Sequence, residues 1–216
     1  MPRVARRVIP SVPHHVIQRG NRQQPIFFSD LDRRVYLDLL ASALGAAGTK
    51  CLAWCLMDNH VHLILVPKTE DGLRQPLART HTSYSQRINR RMGLTGHLFQ
   101  GRFQSYPMDD RHLMVAVRYV ENNPVAAGMV GRAEDWQWSS ARAHVFQLDD
   151  GLTNVAELGR HVANWRAMLT GGLEAADATR IDAALVSGAL DVPRRQAGRR
   201  SKIGDSPRIK LGTVPD

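Results

Sequence analysis

Two histidines separated by one residue stand at the start of an apolar, β-branched run. His60 and His62 open the stretch His-Val-His-Leu-Ile-Leu-Val at positions 60–66, which is typical of a strand. Alternate side chains of a strand project to one face with a rise of about 3.3 Å per residue, so the Cα atoms of this pair lie about 6 to 7 Å apart. Both rings can therefore reach one metal ion. The alternative interpretation is a solvated strand face, since the chain contains 9 histidines.

A second pair of polar side chains occurs in the segment Arg-Tyr-Val-Glu-Asn-Asn-Pro at positions 118–124. If this segment is helical, Tyr119 and Asn123 stand four residues apart and share one helical face, which then offers a phenol and an amide. For Tyr119 the alternative is a half-buried core aromatic. For Asn123 the alternative is a residue that only ends the helix, because the residue before a proline is biased out of the helical conformation.

The relative placement of these side chains depends on the elements that carry them. Hydrophobic spacing, cap residues and turn residues predict a strand, a helix, two strands of a hairpin, a helix, a strand and a helix. The predicted ranges are 14–28 with an interruption at 20–21, 30–45, 52–57, 60–66, 72–92, 98–108 and 110–122. This order predicts an α+β, ferredoxin-like fold: a four-stranded antiparallel sheet with helices packed on one face.

Composition divides the chain into three predicted parts. Residues 1–147 hold the ferredoxin-like domain and its basic N-terminal arm. Residues 148–192 form a predicted helical extension, with helices over 154–169 and 173–185. Residues 193–216 contain seven Lys and Arg residues and few apolar ones, which predicts a disordered basic tail that contacts phosphates.

Charge and composition narrow the functional class. The 216 residues are 43% hydrophobic, enough for a core, and 29 Lys and Arg against 20 Asp and Glu give a net charge of +9. This balance favours a nucleic-acid partner. The apolar runs are too short to span a bilayer, so we expect a cytoplasmic protein without a membrane partner. Cys51 and Cys55 match no disulfide framework or paired zinc signature, so reduced thiols are expected.

Taken together, the motifs resemble the single-tyrosine HUH transposases, and most closely the REP-associated tyrosine transposases of bacteria. The similar segments are Gln-Arg-Gly-Asn at 18–21, His-hydrophobic-His at 60–62, Gly-His-Leu-Phe-Gln-Gly-Arg-Phe at 96–103, and Tyr119 followed by Asn-Pro-Val at 123–125. The resemblance covers about residues 8 to 145. Its specificity lies in the order of several motifs, since each one alone is weak.

The resemblance implies a metal-dependent endonuclease and strand transferase that acts on single-stranded DNA, at hairpins of repetitive extragenic palindromes. Tyr119 would form a 5′-phosphotyrosine intermediate. His60, His62 and Asn123 would bind a divalent metal, Mg²⁺ or Mn²⁺, and imidazole ligands favour the softer Mn²⁺. No small-molecule cofactor is expected. The resemblance favours a monomer over a dimer, located with the bacterial nucleoid in the cytoplasm.

Five arginines are the predicted DNA contacts. Arg19, Arg102 and Arg118 lie in or beside the segments that resemble the family, whereas Arg87 and Arg90 lie on the second predicted helix. Guanidinium groups can follow the phosphates of an unpaired strand while aromatic rings stack on its bases. The alternative for a charged helical face is simple solvation.

Three rival interpretations stay open at this point. If residues 58–59 form a two-residue turn, Cys55 faces His62 across the hairpin, and Cys55, His60 and His62 could form a zinc site; a strand cysteine is more commonly a small buried hydrophobe. The chain could also be a catalytically idle, regulatory protein that binds DNA hairpins. A third alternative is a nickase of the replication-initiator or relaxase type, which shares the His-hydrophobic-His chemistry.

Overall fold

Four strands and their connecting helices form the part of the chain that the computed structural model describes, residues 7–159 and 162–171. The elements are β1 (His14–Arg19), α1 (Asp30–Ala47), β2 (Lys50–Leu56), β3 (His60–Val66), α2 (Arg74–Met92), β4 (Gln104–Pro107), α3 (Asp110–Ala126), α4 (Ala141–Phe146), α5 (Val155–Gly159) and α6 (Trp165–Thr170). The sheet is antiparallel throughout, in the order β2-β3-β1-β4. The predicted α+β, ferredoxin-like fold class is confirmed.

Helices cover both faces of the sheet. Along β3, Val61, Leu63 and Leu65 belong to the core shared with α1 and α2. Ile64 projects to the other side and packs with Val117 and its neighbours on α3. The expectation that helices pack on one face therefore holds for α1 and α2 only. Helix α3 packs on the second face against apolar residues that β2 and β3 present there, among them Leu52, Cys55 and Ile64.

Helix α1 is specified by its own end residues. The Ser29 side chain accepts a hydrogen bond from the Asp32 N–H at 3.3 Å, which satisfies a donor of the first turn. Gly48 ends the helix with φ +61°, a left-handed conformation that costs glycine little. These two residues explain why a local sequence reading locates this helix well.

Strand β4 is much shorter than the predicted range 98–108. It spans Gln104–Pro107, and the residues before it form a loop. Phe99 and Phe103 of that loop are buried in the core beside α1 and α2. Buried aromatic residues at strand-like spacing are thus the reason that the prediction extended the strand too far.

Helix α3 continues past Pro124, where the prediction ended it. Proline removes one N–H donor and only one. Beyond it, the N–H groups of Ala127 and Met129 donate to the carbonyls of Asn123 and Pro124, both at 2.9 Å, so the last turn stays hydrogen-bonded. The predicted end near residue 122 was wrong, and Asn123 lies inside the helix.

Helices α5 and α6 fall within the first part of the predicted helical extension. Leu158, Trp165 and Leu169 pack into the same core as α3. The predicted helix over 173–185 and the basic tail at 193–216 lie outside the described residues. Across residues 7–159 and 162–171, no helix has the length and apolar character needed to cross a membrane.

Candidate functional site

The register between β1 and β3 gathers polar side chains on one face of the sheet. Ile17 pairs with His62 and Arg19 pairs with His60, and directly paired residues project to the same side. The rings of His60 and His62 have centroids 4.8 Å apart and are nearly perpendicular, at 78°. His62 is fully buried and His60 half-buried. Two imidazoles therefore lie side by side at the start of β3.

Helix α3 brings Tyr119 to this pair. The centroid of the Tyr119 ring lies 5.7 Å from that of His62 and 6.0 Å from that of His15, edge to face in both cases. Tyr119 is half-buried. Residues from β1, β3 and α3, which are far apart in the sequence, thus meet in one cluster.

Sequence reasoning missed His15. Its Nε2 lies 3.0 Å from His62 Nδ1, a hydrogen bond, and the two rings are nearly parallel, with centroids 5.2 Å apart and an interplanar angle of 25°. The pairing of His15 with Ile64 in the β1–β3 register places it on the same face. Strand alternation from Arg19 back to His15 would have indicated that face, but only once β1 is known to lie beside β3.

Asn59 holds the ring of His60. The Nδ1–H of His60 donates to Asn59 Oδ1 at 2.6 Å, and the Asn59 amide nitrogen in turn donates to the Gln23 carbonyl at 3.0 Å. Because an amide oxygen only accepts, the proton of the neutral His60 ring lies on Nδ1, and Nε2 keeps its lone pair. A lone pair of this kind is what a metal ion requires.

Burial keeps these imidazoles neutral. It lowers the pKa of His60 to about 4, with a further contribution from the Arg19 charge. Burial also lowers the pKa of His15 to about 3 and that of His62 well below its usual value, the latter with help from His15, His60 and Arg19. Neutral imidazole is the form that binds metals.

The Nε2 atom of His62 is buried and has no hydrogen-bond partner among the described residues. Buried polar atoms are nearly always hydrogen-bonded in proteins. A buried imidazole nitrogen without a partner, next to a second imidazole, is therefore the feature of this structure that fits a metal ion.

Asn123 lies one helical turn beyond Tyr119. Its amide nitrogen donates to the Tyr119 carbonyl at 2.8 Å, so the side chain is bonded to its own helix and its Oδ1 is the atom left to act as a ligand. The structure thus brings His60, His62 and Tyr119 together, whereas the contact of the Asn123 side chain is with the Tyr119 carbonyl of its own helix.

A buried carboxylate, which the sequence did not point to, holds α3 in place. Glu121 is fully buried and accepts hydrogen bonds from Ser140 Oγ at 2.6 Å, His144 Nδ1 at 2.6 Å and Trp165 Nε1 at 2.7 Å. These donors come from the start of α4, from α4 itself and from α6. The helix that carries Tyr119 is thereby tied to later parts of its own chain.

The predicted DNA-binding arginines fall into separate regions. Arg19 is exposed on the histidine face, and Arg118 is half-buried beside Tyr119. Arg102 is exposed in the loop before β4. Arg87 and Arg90 are exposed on α2, which packs on the opposite face of the sheet.

The zinc alternative finds no support. Cys55 pairs with His62 in the hairpin register, but it is fully buried and its Sγ donates to Met57 Sδ at 3.7 Å. Burial, with a contribution from the Glu121 charge, raises the pKa of the Cys55 thiol, which disfavours the thiolate that zinc requires. In the described part of the chain, no three His, Cys, Asp or Glu side chains are grouped to hold a metal ion.

Comparison with known proteins finds one matching family model and several similar solved structures. The family model described as IS200-like transposase matches residues 9–123. A solved structure of a REP-associated tyrosine transposase bound to a REP hairpin is 19% identical, with 72% of this chain and 90% of that chain covered and a TM-score of 0.57. A putative transposase from Deinococcus radiodurans is 14% identical, with 56% and 97% covered and a TM-score of 0.39. No curated protein sequence gives a significant match.

Proposed function

This chain belongs to the IS200-like transposase family, and on that premise we propose that it cleaves and rejoins single-stranded DNA through Tyr119. The observation that carries the proposal is the position of Tyr119, whose ring lies 5.7 Å from the His62 ring on the face where His60 and His62 meet. A phenol beside two neutral imidazoles supplies a nucleophile and metal ligands in one place.

The proposed reaction is a transesterification. The Tyr119 hydroxyl oxygen bonds to the phosphorus of a DNA backbone phosphate and loses its proton, while the bond from phosphorus to the 3′ oxygen breaks and that oxygen takes up a proton. The products are a 5′-phosphotyrosine and a free 3′-hydroxyl. The covalent intermediate keeps the energy of the phosphodiester bond, so a different 3′-hydroxyl can attack it and join strands.

His60, His62 and Asn123 are the residues that would hold a divalent metal, Mg²⁺ or Mn²⁺. The fit rests on three atoms: the unpartnered Nε2 of His62, the Nε2 of His60 left over from its bond to Asn59, and the Oδ1 of Asn123 left over from its bond to Tyr119. When bound, such an ion supplies positive charge to the phosphate under attack, which the phenol, with an ordinary pKa of about 10, needs near neutral pH.

The proposed substrate is a DNA hairpin of the repetitive extragenic palindrome type. The structural relative of the same fold was solved with such a hairpin, and the net charge of +9 suits a polyanionic ligand. We propose that the backbone contacts come from Arg19, Arg102, Arg118, Arg87 and Arg90. We further propose that the protein acts as a monomer, as its resemblance to the REP-associated group implies.

Incubation of the protein with a labelled hairpin oligonucleotide and Mn²⁺ tests this proposal. We expect a covalent protein–DNA adduct on a denaturing gel, and its complete loss in Tyr119→Phe with hairpin affinity unchanged. Tyr36→Phe is the matched control, since Tyr36 is buried on the opposite face in the α1–α2 core, and it should keep the adduct. An adduct that survives Tyr119→Phe, or hairpin binding without any adduct under Mg²⁺ and Mn²⁺, contradicts the proposal.

A further inference from the structure

His15 lies directly behind His62, and we propose that it is a positioning residue that fixes the proton and the ring orientation of His62 for metal binding. This inference rests on the metal site proposed above. It concerns a residue of β1 that belongs to none of the motifs by which the sequence resembles its family.

The direction of the His15–His62 hydrogen bond follows from the other nitrogen of His62. A neutral imidazole carries one N–H and one lone pair. If His15 donated, the proton of His62 would have to lie on Nε2, which is buried and has no acceptor among the described residues. Among buried backbone groups, orphaned N–H donors are rarer than under-satisfied acceptors, and we apply the same preference to the ring nitrogens. We therefore assign Nδ1–H of His62 as the donor and Nε2 of His15 as the acceptor, 3.0 Å apart.

This direction gives both histidines of the pair the same tautomer. His60 donates its Nδ1–H to Asn59 Oδ1 at 2.6 Å, and His62 donates its Nδ1–H to His15. In each ring the proton is held on Nδ1 and the lone pair is left on Nε2. Acceptors of this kind, which hold the N–H of a ligand imidazole, orient the ring and raise its basicity.

His15 is rigidly placed for this task. It is 2% exposed, and β1 is paired on both sides, with Ile64 of β3 and Tyr106 of β4 opposite His15. Its ring lies beside that of His62, with centroids 5.2 Å apart, and packs edge to face with Tyr119 at 6.0 Å. Side chains locked by packing in this way hold a site in its binding geometry before the ligand arrives.

Two substitutions separate the acceptor from the volume of the ring. His15→Leu introduces an apolar side chain of similar size and removes the acceptor. His15→Gln retains an oxygen that can reach the former position of Nε2. Loss of a residue that hydrogen-bonds a metal ligand typically weakens metal binding by about 10- to 100-fold. We expect a loss of this size in Mn²⁺ affinity for His15→Leu, and an affinity close to that of the wild type for His15→Gln.

The first measurement is made without metal. Nitrogen-15 chemical shifts of the histidine rings in the EDTA-treated protein report which nitrogen of His62 carries the proton. We expect the proton on Nδ1 in the wild type and in His15→Gln, and a mixture of tautomers in His15→Leu. A proton on Nε2 of His62 in the wild type overturns the inference whatever the metal affinity, and it leaves the role of Tyr119 untouched.

The second measurement is the dissociation constant of Mn²⁺ by calorimetry. His81→Leu is the matched control, because it removes a neutral histidine that bonds the Tyr36 hydroxyl at 3.1 Å on the other side of the sheet; it should leave Mn²⁺ affinity unchanged. Equal affinities in His15→Leu and the wild type overturn the inference. Failure of the proposed metal site itself is distinguishable, since Mn²⁺ binding would then be insensitive to His62→Ala.

Discussion

Gly20 shows how tightly single residues are constrained next to the site. A Cβ atom at this position would lie 2.1 Å from the Gln24 carbonyl oxygen and 2.9 Å from a methyl carbon of Ile26. The Gly20 N–H also donates to the Asn59 carbonyl at 2.8 Å. The absence of a side chain thus lets the end of β1 pack closely against Gln24 and Ile26, next to Asn59, which holds His60.

We expect Gly20→Ala to destabilise the fold by about 1–3 kcal/mol, because the added methyl group overlaps backbone that cannot move freely. Urea unfolding measures the effect. Gly45→Ala in α1 is the control: nothing lies within 4 Å of its Cβ position, so alanine should be neutral or stabilise the helix by up to about 1 kcal/mol. Equal free energies of unfolding for the two variants would refute this explanation.

His14 makes a second prediction at the level of one residue. It is fully buried, its Nδ1–H donates to the Val12 carbonyl at 2.7 Å, and its Nε2 accepts from the Ile9 N–H at 3.2 Å. Burial lowers its pKa, outweighing the Val12 bond that raises it. Below the unfolded pKa of about 6.5, the unfolded chain binds a proton that the folded chain does not, so stability falls as the pH falls.

Between pH 7 and pH 5 the free energy of unfolding should decrease in both proteins, and the decrease should be smaller in His14→Asn than in the wild type by up to about 2 kcal/mol. Between pH 7 and pH 8 we expect no such difference. The measurement is the free energy of unfolding in urea at each pH, with EDTA present. His97→Asn, at an exposed loop position, should follow the wild type. Parallel pH curves for His14→Asn and the wild type would show that His14 does not titrate in this range.

Residues of the site differ in how far the sequence could reveal them. The spacing of His60 and His62 puts both on one strand face, and Tyr119 and Asn123 stand one helical turn apart, but only the resemblance to a family gave these four residues proposed roles. His15 could not be identified, since its role arises from the pairing of β1 with β3, a long-range register. Glu121 could not be identified either, because the sequence does not indicate that a helical glutamate is buried until its hydrogen-bond partners are known.

At the level of elements, the position of α3 is set by parts of the chain that follow it. Glu121 collects three hydrogen bonds from Ser140, His144 and Trp165, and the His144 and Trp165 rings stack with centroids 4.1 Å apart. A buried carboxylate is costly unless it is fully hydrogen-bonded. Its donors therefore couple α4 and α6 to the helix that presents Tyr119.

We expect Trp165→Phe to destabilise the protein by about 1–3 kcal/mol, because one donor to the buried carboxylate is lost. It should also speed amide hydrogen exchange along α3. Trp54→Phe is the matched control: it removes an indole N–H that donates to the Asp150 carboxylate at 3.0 Å, in the core beside α1 and α2, and should leave α3 exchange unchanged relative to the rest of the protein. Similar exchange patterns in both variants would argue against the coupling.

Elements with local start and stop residues were predictable, and elements shaped by tertiary contacts were less so. Helix α1 has its Ser29 cap and Gly48 end. Strand β4 was overextended because Phe99 and Phe103 are buried from a loop. The end of α3 was missed because the N–H groups of Ala127 and Met129 keep the last turn hydrogen-bonded beyond Pro124.

At the scale of the whole molecule, the basic residues behind the net charge of +9 differ in whether an acidic side chain pairs with them. Several surface arginines are held in ion pairs, including Arg74 with Asp71 at 2.8 Å and Arg132 with Asp135 at 3.2 Å. Arginines that meet phosphates release counterions, and each phosphate neutralised adds about 0.7 to 0.9 to the slope of log K against log salt. Variants with the same net charge can therefore be compared by this slope, which falls only when the arginines removed contact phosphates.

We expect the double variant Arg87→Gln/Arg90→Gln to weaken hairpin binding and to lower this slope by about 1.4 to 1.8, the value for two lost phosphate contacts. Fluorescence anisotropy with a labelled hairpin at 50 to about 200 mM KCl gives the slope. Arg74→Gln/Arg132→Gln removes the same charge from ion-paired positions, so its slope should stay within about 0.5 of the wild type. If the two double variants lower the slope equally, only the overall charge matters, and the DNA does not contact α2 at residues 87 and 90.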